Sequence, residues 1–135
     1  MSETLTSLAV GDVIHLSRGP INTTQLVMYA GASGDFNRIH FDHPFAVEVG
    51  LGGLVAHGML TMGYAASCLT AMLGERHQVH ELRARFLAPV RVGDIVESTS
   101  TVRDTNEDGS MAIDLEARVG TTVVLRGNAI AEVLR

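Results

Sequence analysis

The chain has 135 residues, which fits one domain, and we expect that domain to cover residues 1–135. Its net charge of −5 argues against a nucleic-acid partner, because nucleic acids bind a clustered positive surface. A single cysteine, Cys68, excludes an internal disulfide, and an N-terminus without a signal peptide predicts a cytoplasmic location.

The first third of the chain predicts one strand, one helix and a long loop. After an N-terminal arm over residues 1–10, we expect a strand at residues 13–16 and a helix that ends near Gly31. Residues 32–53 are rich in Gly, Asp and Asn and predict a loop, interrupted by a short helix near residues 44–49. Loops of this length in compact domains are often functional.

Residues 54–73 carry no Asp, Glu, Lys or Arg and predict a central helix that is apolar on nearly every side. Such a helix is buried, because a surface helix needs a polar face, and Gly74 is a natural stop. His57 and Gly58 lie in its first turn, where we expect chemistry. A membrane span is the alternative by length, but the stretch is rich in Gly and Ala and lacks basic flanks and aromatic belts.

The remainder of the chain alternates apolar and polar residues with period two, which predicts strands. We expect four of them, near residues 82–86, 95–103, 111–117 and 121–134. Strands that follow one buried helix are typical of an α+β fold in which an antiparallel sheet covers that helix. Because four or five strands cover only one side of a long helix, we expect the uncovered side or the sheet edge to form a dimer.

The densest group of reactive side chains lies in the loop, at residues 33–42. Asp35 and His40 could form a general base near neutral pH, because a carboxylate orients an imidazole and stabilises its charged form. Asn37 could hold either group or a substrate amide. The spacing alone leaves open a solvated loop in which Asp and Asn only cap turns.

Two motifs identify a family. Residues 29–42, YAGASGDFNRIHFD, followed by Ala46, resemble the hydratase motif of MaoC-like (R)-specific enoyl-CoA hydratases, and residues 56–61, AHGMLT, resemble that family's second signature. The resemblance covers nearly the whole chain and implies a hotdog fold, a long helix wrapped by an antiparallel sheet. It also implies reversible syn addition of water to a trans-2-enoyl thioester of CoA or acyl carrier protein, without a cofactor.

The resemblance also implies roles for individual residues. Asp35 and His40 would bind and activate the water. A backbone N–H at the start of the central helix would face the thioester oxygen and stabilise its developing charge. The residues implied to bind or support the substrate around this point are Gly58, Asn37, Thr61 and His57.

Arginines raise two further expectations. Arg38 stands where the hydratase motif usually has proline, and we expect it to make the loop more mobile and to place a cation near Asp35. Arg83 and Arg85 alternate outward on a strand, so a solvated face is the first interpretation. Contact with the phosphates of CoA or of a carrier protein is the alternative.

Other functions stay open on the sequence. The chain could be a structural subunit of a heteromeric hotdog dehydratase or, less favoured, a hotdog thioesterase. We expect no metal site, because no metal-ligand spacing is present among His40, His43, His57 and the nearby aspartates. The expected protein partner is a second copy or another hotdog chain.

Overall fold

A computed structural model of the chain describes residues 8–134, so most of the N-terminal arm lies outside the described residues. Five strands form one sheet in the order β1-β3-β4-β5-β2, and every neighbouring pair is antiparallel. Strands β1 and β2 are therefore its edges. The strands are β1 (Val13–Arg18), β2 (His77–Phe86), β3 (Val96–Thr105), β4 (Ser110–Val119) and β5 (Thr122–Val133).

The five strands confirm the sequence prediction, with one clear difference at the start of β2. This strand begins at His77, well before the alternation that starts near residue 82. Its register against β5 shifts between Val79 and Glu81. Such a bulge adds a residue that breaks the period-two pattern. The alternation of apolar and polar residues therefore does not predict the first part of the strand.

Two helices flank the loop at residues 34–42, which contains Asp35 and His40. The helix α1 (Thr23–Ser33) begins at the cap residue Asn22, whose side-chain oxygen accepts the backbone N–H of Gln25 at 2.8 Å. It ends beyond Gly31 because Gly34, with a φ of 78°, is the residue that adopts the left-handed conformation. The short helix α2 (His43–Glu48) is capped by Asp42 and confirms the helix expected near residues 44–49.

The central helix α3 (Gly58–Leu73) starts four residues later than residues 54–73 predict. Val55 forms a β-bridge with Arg91, and the backbone N–H of Ala56 donates to the carbonyl of Val90 at 2.7 Å. The residues before His57 are therefore extended against a neighbouring loop. Hydropathy does not separate this buried extended segment from a buried helix.

One side of α3 packs on the sheet, mainly against β3 and β1. Cys68 lies on this side and is fully buried, as expected for a structural thiol. The opposite side carries a strip of exposed residues, Met59, Gly63, Ser67, Thr70 and Ala71. In the single chain the sheet therefore covers only one face of the helix, and burial of the other face in a dimer stays a prediction.

The membrane alternative finds no support in the helices. Over residues 8–134, no helix combines the length and the apolar character that a bilayer crossing requires. The helix α3 itself has 16 residues, fewer than the roughly 20 that a hydrocarbon core needs.

Candidate active site

His40 and Asp35 lie close together in the loop that joins α1 to α2. Asp35 follows the left-handed Gly34, and His40 ends a 3₁₀ turn, Arg38–His40. Nε2 of His40 is 3.8 Å from Oδ2 of Asp35, with the His40 side chain 7% exposed and the Asp35 side chain 54% exposed. One member of the pair is thus protected from solvent while the other faces it.

A backbone contact sets the tautomer of His40. Its Nδ1 lies 2.7 Å from the carbonyl oxygen of Val55. Because a carbonyl only accepts hydrogen bonds, Nδ1 carries the proton and donates it. In the neutral ring, Nε2 therefore presents a lone pair on the side where Asp35 lies. This is the arrangement of a general base.

Asn37 shapes the turn between the two residues. Its backbone N–H donates to Oδ1 of Asp35 at 3.2 Å, and its side-chain oxygen accepts the N–H of Ile39, also at 3.2 Å. The first contact orients the carboxylate, and the second caps the 3₁₀ turn that ends at His40. Both contacts involve the loop itself, so Asn37 lies beside the pair as a local support.

His57 lies behind His40 at the start of α3. It is 1% exposed, and its ring stacks on that of His40 with centroids 3.7 Å apart and an interplanar angle of 20°. Nε2–H of His57 donates to the backbone carbonyl of Asp35 at 3.2 Å. Burial lowers the pKa of His57 below its ordinary value, so the ring is neutral at physiological pH.

A cavity of about 340 Å³ opens beside His40 and the first turn of α3. Its walls are largely apolar, with Phe86 and Val124 among them, and Gly58 and Thr61 supply its helical side. The first N–H groups of a helix have no partner within it, and the positive end of the helix dipole lies here. An apolar acyl group with a polar carbonyl would suit this cavity.

The side chain of Arg38 contacts Asp42 and Phe45. Its guanidinium donates through Nε and one terminal nitrogen to Oδ2 of Asp42, at 3.1 and 2.9 Å, and it covers the ring of Phe45 at 4.1 Å. The hydrogen bond from Arg38 is the main reason that the pKa of Asp42 lies below its usual value. Asp42 and Phe45 therefore hold the Arg38 side chain and tie the 3₁₀ turn to α2, whereas an effect of its charge on Asp35 stays a prediction.

The site includes three groups with ligand atoms within 4.8 Å of one another, Asp35, His40 and His57. Imidazole binds a metal through a lone pair in the plane of its ring. The two rings lie nearly parallel, so one ion could not lie in both planes at bonding distance. The geometry suits acid–base chemistry better than metal ligation.

The other basic candidates are on strand β2. Arg83 and Arg85 are exposed on β2 in the single chain, and Arg83 pairs with Glu81 at 3.2 Å, which favours the solvated face. Contact with carrier phosphates stays a prediction.

Three groups at the site were not predicted from the sequence: the Val55 carbonyl, Tyr29 and Phe86. Tyr29 meets the His57 ring edge-on, with centroids 4.8 Å apart. Phe86 is 50% exposed, and its ring lies over Gly58. Tyr29 belongs to the hydratase motif, and that position was its available signal. A backbone carbonyl leaves no signal in a side-chain pattern.

The architecture is a hotdog fold, and the site is an Asp–His pair beside the start of the central helix. The chain belongs to the MaoC-like domain family, whose profile matches residues 7–125. It is 34% identical to the 3-hydroxybutyryl-CoA dehydratase of Methylorubrum extorquens over 115 residues, which cover 84% of this chain and 73% of that protein.

A second relative is similar along nearly its whole length. The (R)-specific enoyl-CoA hydratase of Aeromonas caviae is 29% identical over 126 residues, 93% of this chain and 90% of that protein. The solved structure of the (R)-hydratase from the same organism superposes with a TM-score of 0.89 at 26% identity and covers 96% of this chain and 99% of that one. The family resemblance and the α+β hotdog fold are thereby confirmed.

Proposed function

We propose that the chain is a hydro-lyase that catalyses reversible hydration of trans-2-enoyl thioesters to (3R)-hydroxyacyl thioesters. The observation that carries the proposal is the Asp35–His40 pair, in which the Val55 carbonyl leaves Nε2 of His40 free as a base. The names of the two relatives, a 3-hydroxybutyryl-CoA dehydratase and an (R)-specific enoyl-CoA hydratase, support the same reaction.

In the direction of hydration, a substrate water held by the pair donates a proton to Nε2 of His40 as its oxygen bonds to C3. The electrons of the C2–C3 double bond then move onto the thioester oxygen. The proton returns from the pair to C2 on the same face, which completes a syn addition and restores the starting charges. Asp35 stabilises the imidazolium that exists between the two transfers.

The start of α3 stabilises the intermediate charge. A thioester oxygen beside Gly58 would accept a backbone N–H from the positive end of the helix, and such a donor stabilises an oxyanion by about 3–4 kcal/mol in a known enzyme. Thr61 lines the same cavity and adds a hydroxyl near the substrate. The acyl group would lie against the apolar wall that includes Phe86.

The test is the loss of conjugated enoyl-thioester absorbance when purified chain is added to crotonyl-CoA. We expect Asp35→Asn and His40→Ala each to lower kcat by about 10²–10⁴-fold, the usual contribution of a positioned acid or base. His15→Gln replaces an exposed histidine on β1 and should keep the full rate. Full activity in both site variants would refute the proposal.

The same preparation separates the alternative functions. A thioesterase would release free thiol from a saturated acyl-CoA, which a thiol reagent detects. A structural subunit would show no hydration by itself and would gain it when a catalytic hotdog partner is added. We further propose that a second hotdog chain, a copy of this one or a relative, pairs with the edge strand β2.

A further inference from the structure

We propose that His57 is a positioning residue that sets the Asp35–His40 pair without touching the substrate. This inference rests on the proposed hydratase function and changes the role that the family resemblance implies for His57. At 1% exposure His57 lies behind His40 and cannot reach a molecule in the cavity. Its contacts are instead with the two residues that would carry the chemistry.

One ring holds both members of the pair. Its face stacks on His40 at 3.7 Å between centroids and blocks rotation of that ring toward α3. Its Nε2–H donates to the carbonyl of Asp35 at 3.2 Å and fixes the backbone that carries the carboxylate. Tyr29 makes an edge-on contact with the His57 ring, with centroids 4.8 Å apart. Between these contacts the ring has little freedom.

The position of His57 in the chain extends this role to Gly58. His57 is the cap residue of α3, so its backbone sets where the first helical N–H groups point. Its side chain makes no cap hydrogen bond, although Ser, Thr, Asp and Asn at this position usually do. A cap function therefore does not account for the histidine. The contacts of His57 connect the loop that carries Asp35 and His40 to the start of α3, where Gly58 lies.

The neutral state of the ring is a requirement of this arrangement. His40 gains a proton during the reaction, and a second charge stacked at 3.7 Å would oppose that gain. Burial keeps His57 uncharged, and the proximity of His40 acts in the same direction. A neutral aromatic N–H donor meets the three demands of stacking, donating and staying uncharged.

Two variants separate the functions of the ring. His57→Gln keeps an N–H donor near the position of Nε2 but removes the stacked ring, whereas His57→Phe keeps a flat ring but removes the donor. Because small misplacements of reacting groups cost about 10²-fold in rate, we expect kcat for crotonyl-CoA to fall at least tenfold in both. KM should change less than about threefold, since no substrate contact is lost.

A double-variant comparison distinguishes positioning from general damage. If His57 acts mainly by positioning His40, then adding His57→Gln to His40→Ala should lower the rate much less than His57→Gln lowers it in the wild type, because the residues act as a unit. Equal fold losses from His57→Gln in the two backgrounds would overturn the proposal. Thermal melting checks folding, and if His57→Phe does not fold, His57→Gln carries the test.

The outcomes also separate this inference from the proposed function. Full activity in His40→Ala would refute the hydratase proposal itself. An inactive His40→Ala beside fully active His57→Gln and His57→Phe would refute only the role of His57. His15→Gln serves as the control, because it replaces an exposed histidine by the same residue outside the site.

Discussion

Gly58 combines a backbone role with a steric one. A Cβ at this position would lie 3.2 Å from Cε1 of Phe86, closer than ordinary contact. Phe86 is 50% exposed, so its ring can turn aside at little cost to folding, and alanine favours a helix over glycine by up to about 1 kcal/mol. The added methyl group, however, would project toward the cavity that Gly58 lines.

We therefore expect Gly58→Ala to melt at the wild-type temperature or slightly above it, while kcat/KM for crotonyl-CoA falls at least tenfold. Circular-dichroism melting and the absorbance assay measure the two quantities on one preparation. Unchanged kcat/KM in a correctly folded variant would show that the thioester oxygen does not approach this part of the helix.

His57 also makes stability depend on pH. Burial lowers its pKa below the ordinary value of 6.5, so between the two values the unfolded chain binds a proton that the folded chain does not. The stability that depends on neutral His57 is fully present above pH 6.5 and is lost as the pH falls below that value. We expect the wild-type melting temperature to fall from pH 7 to pH 5 more steeply than that of His57→Gln. Parallel curves would contradict this.

At the residue scale, the side chains of the site could be predicted from the sequence, but their arrangement could not. Asp35 and His40 stand in a recognisable motif, and the family resemblance suggested their roles. The tautomer of His40 depends on the Val55 carbonyl, a backbone atom brought near by a β-bridge to Arg91. The stacking of His57 on His40 likewise depends on where α3 begins.

At the scale of elements, Arg38 restricts the 3₁₀ turn before α2 in a different way from the proline of the family motif. The family motif usually has proline here, whereas this chain ties its 3₁₀ turn to α2 through Arg38 and Asp42. Arg38 is the first residue of the turn, and Asn37 before it has a φ of −59° and a ψ of 128°. Both conformations are compatible with proline at position 38.

We expect Arg38→Pro to fold and to retain hydratase activity within about threefold, because proline restricts the same turn. Arg38→Gly should melt at a lower temperature, since it has neither the restriction nor the contact with Asp42. Melting temperatures and kcat of the two variants, each compared with wild type, make the test. Equal melting temperatures for Pro and Gly would contradict it.

The Arg38–Asp42 contact has its own pH signature. The hydrogen bond from Arg38 lowers the pKa of Asp42 below its usual value of 3.8, so its stabilisation is present above that value and disappears as the pH falls below it. We expect the difference in melting temperature between wild type and Asp42→Asn to be constant near neutral pH and to shrink below about pH 4. A difference independent of pH would exclude the charge as its source.

Elements were predicted well where periodicity is regular and poorly at their ends. The four later strands alternate clearly, which was enough for an antiparallel sheet beside a helix. The start of α3 was misplaced because residues before His57 are as apolar as the helix itself. The start of β2 was missed because the bulge after Val79 breaks the alternation. These boundaries depend on partner segments distant in sequence.

At the scale of the whole molecule, apolar side chains remain exposed where the site opens. Phe36 is 63% exposed, Met59 58% and Phe86 50%, and all three lie within or next to the loop, helix start and strand end that form the site. Exposed apolar side chains that gather around one cavity are typical of a binding surface. A neighbouring chain or the substrate would cover them.

The edge strand β2 suggests which surface a partner uses. It is ten residues long and ends at the cavity, and Val79 on it is 42% exposed. An uncovered edge of this length presents backbone groups that can pair with another strand. The other edge, β1, has six residues and carries Val13 at 48% exposure, which provides a matched control.

We expect the purified chain to run at twice its mass of 14.4 kDa in light scattering. Val79→Asp should shift it toward the single-chain mass and lower hydration of crotonyl-CoA, because a buried charge opposes strand pairing and the site would lose its cover. Val13→Asp places the same charge on β1 and should remain dimeric and active. A wild-type chain that is monomeric and inactive, but becomes active with another hotdog chain, would identify a heterodimer. A fully active wild-type monomer would show that the site is complete in one chain and that β2 pairing is unnecessary.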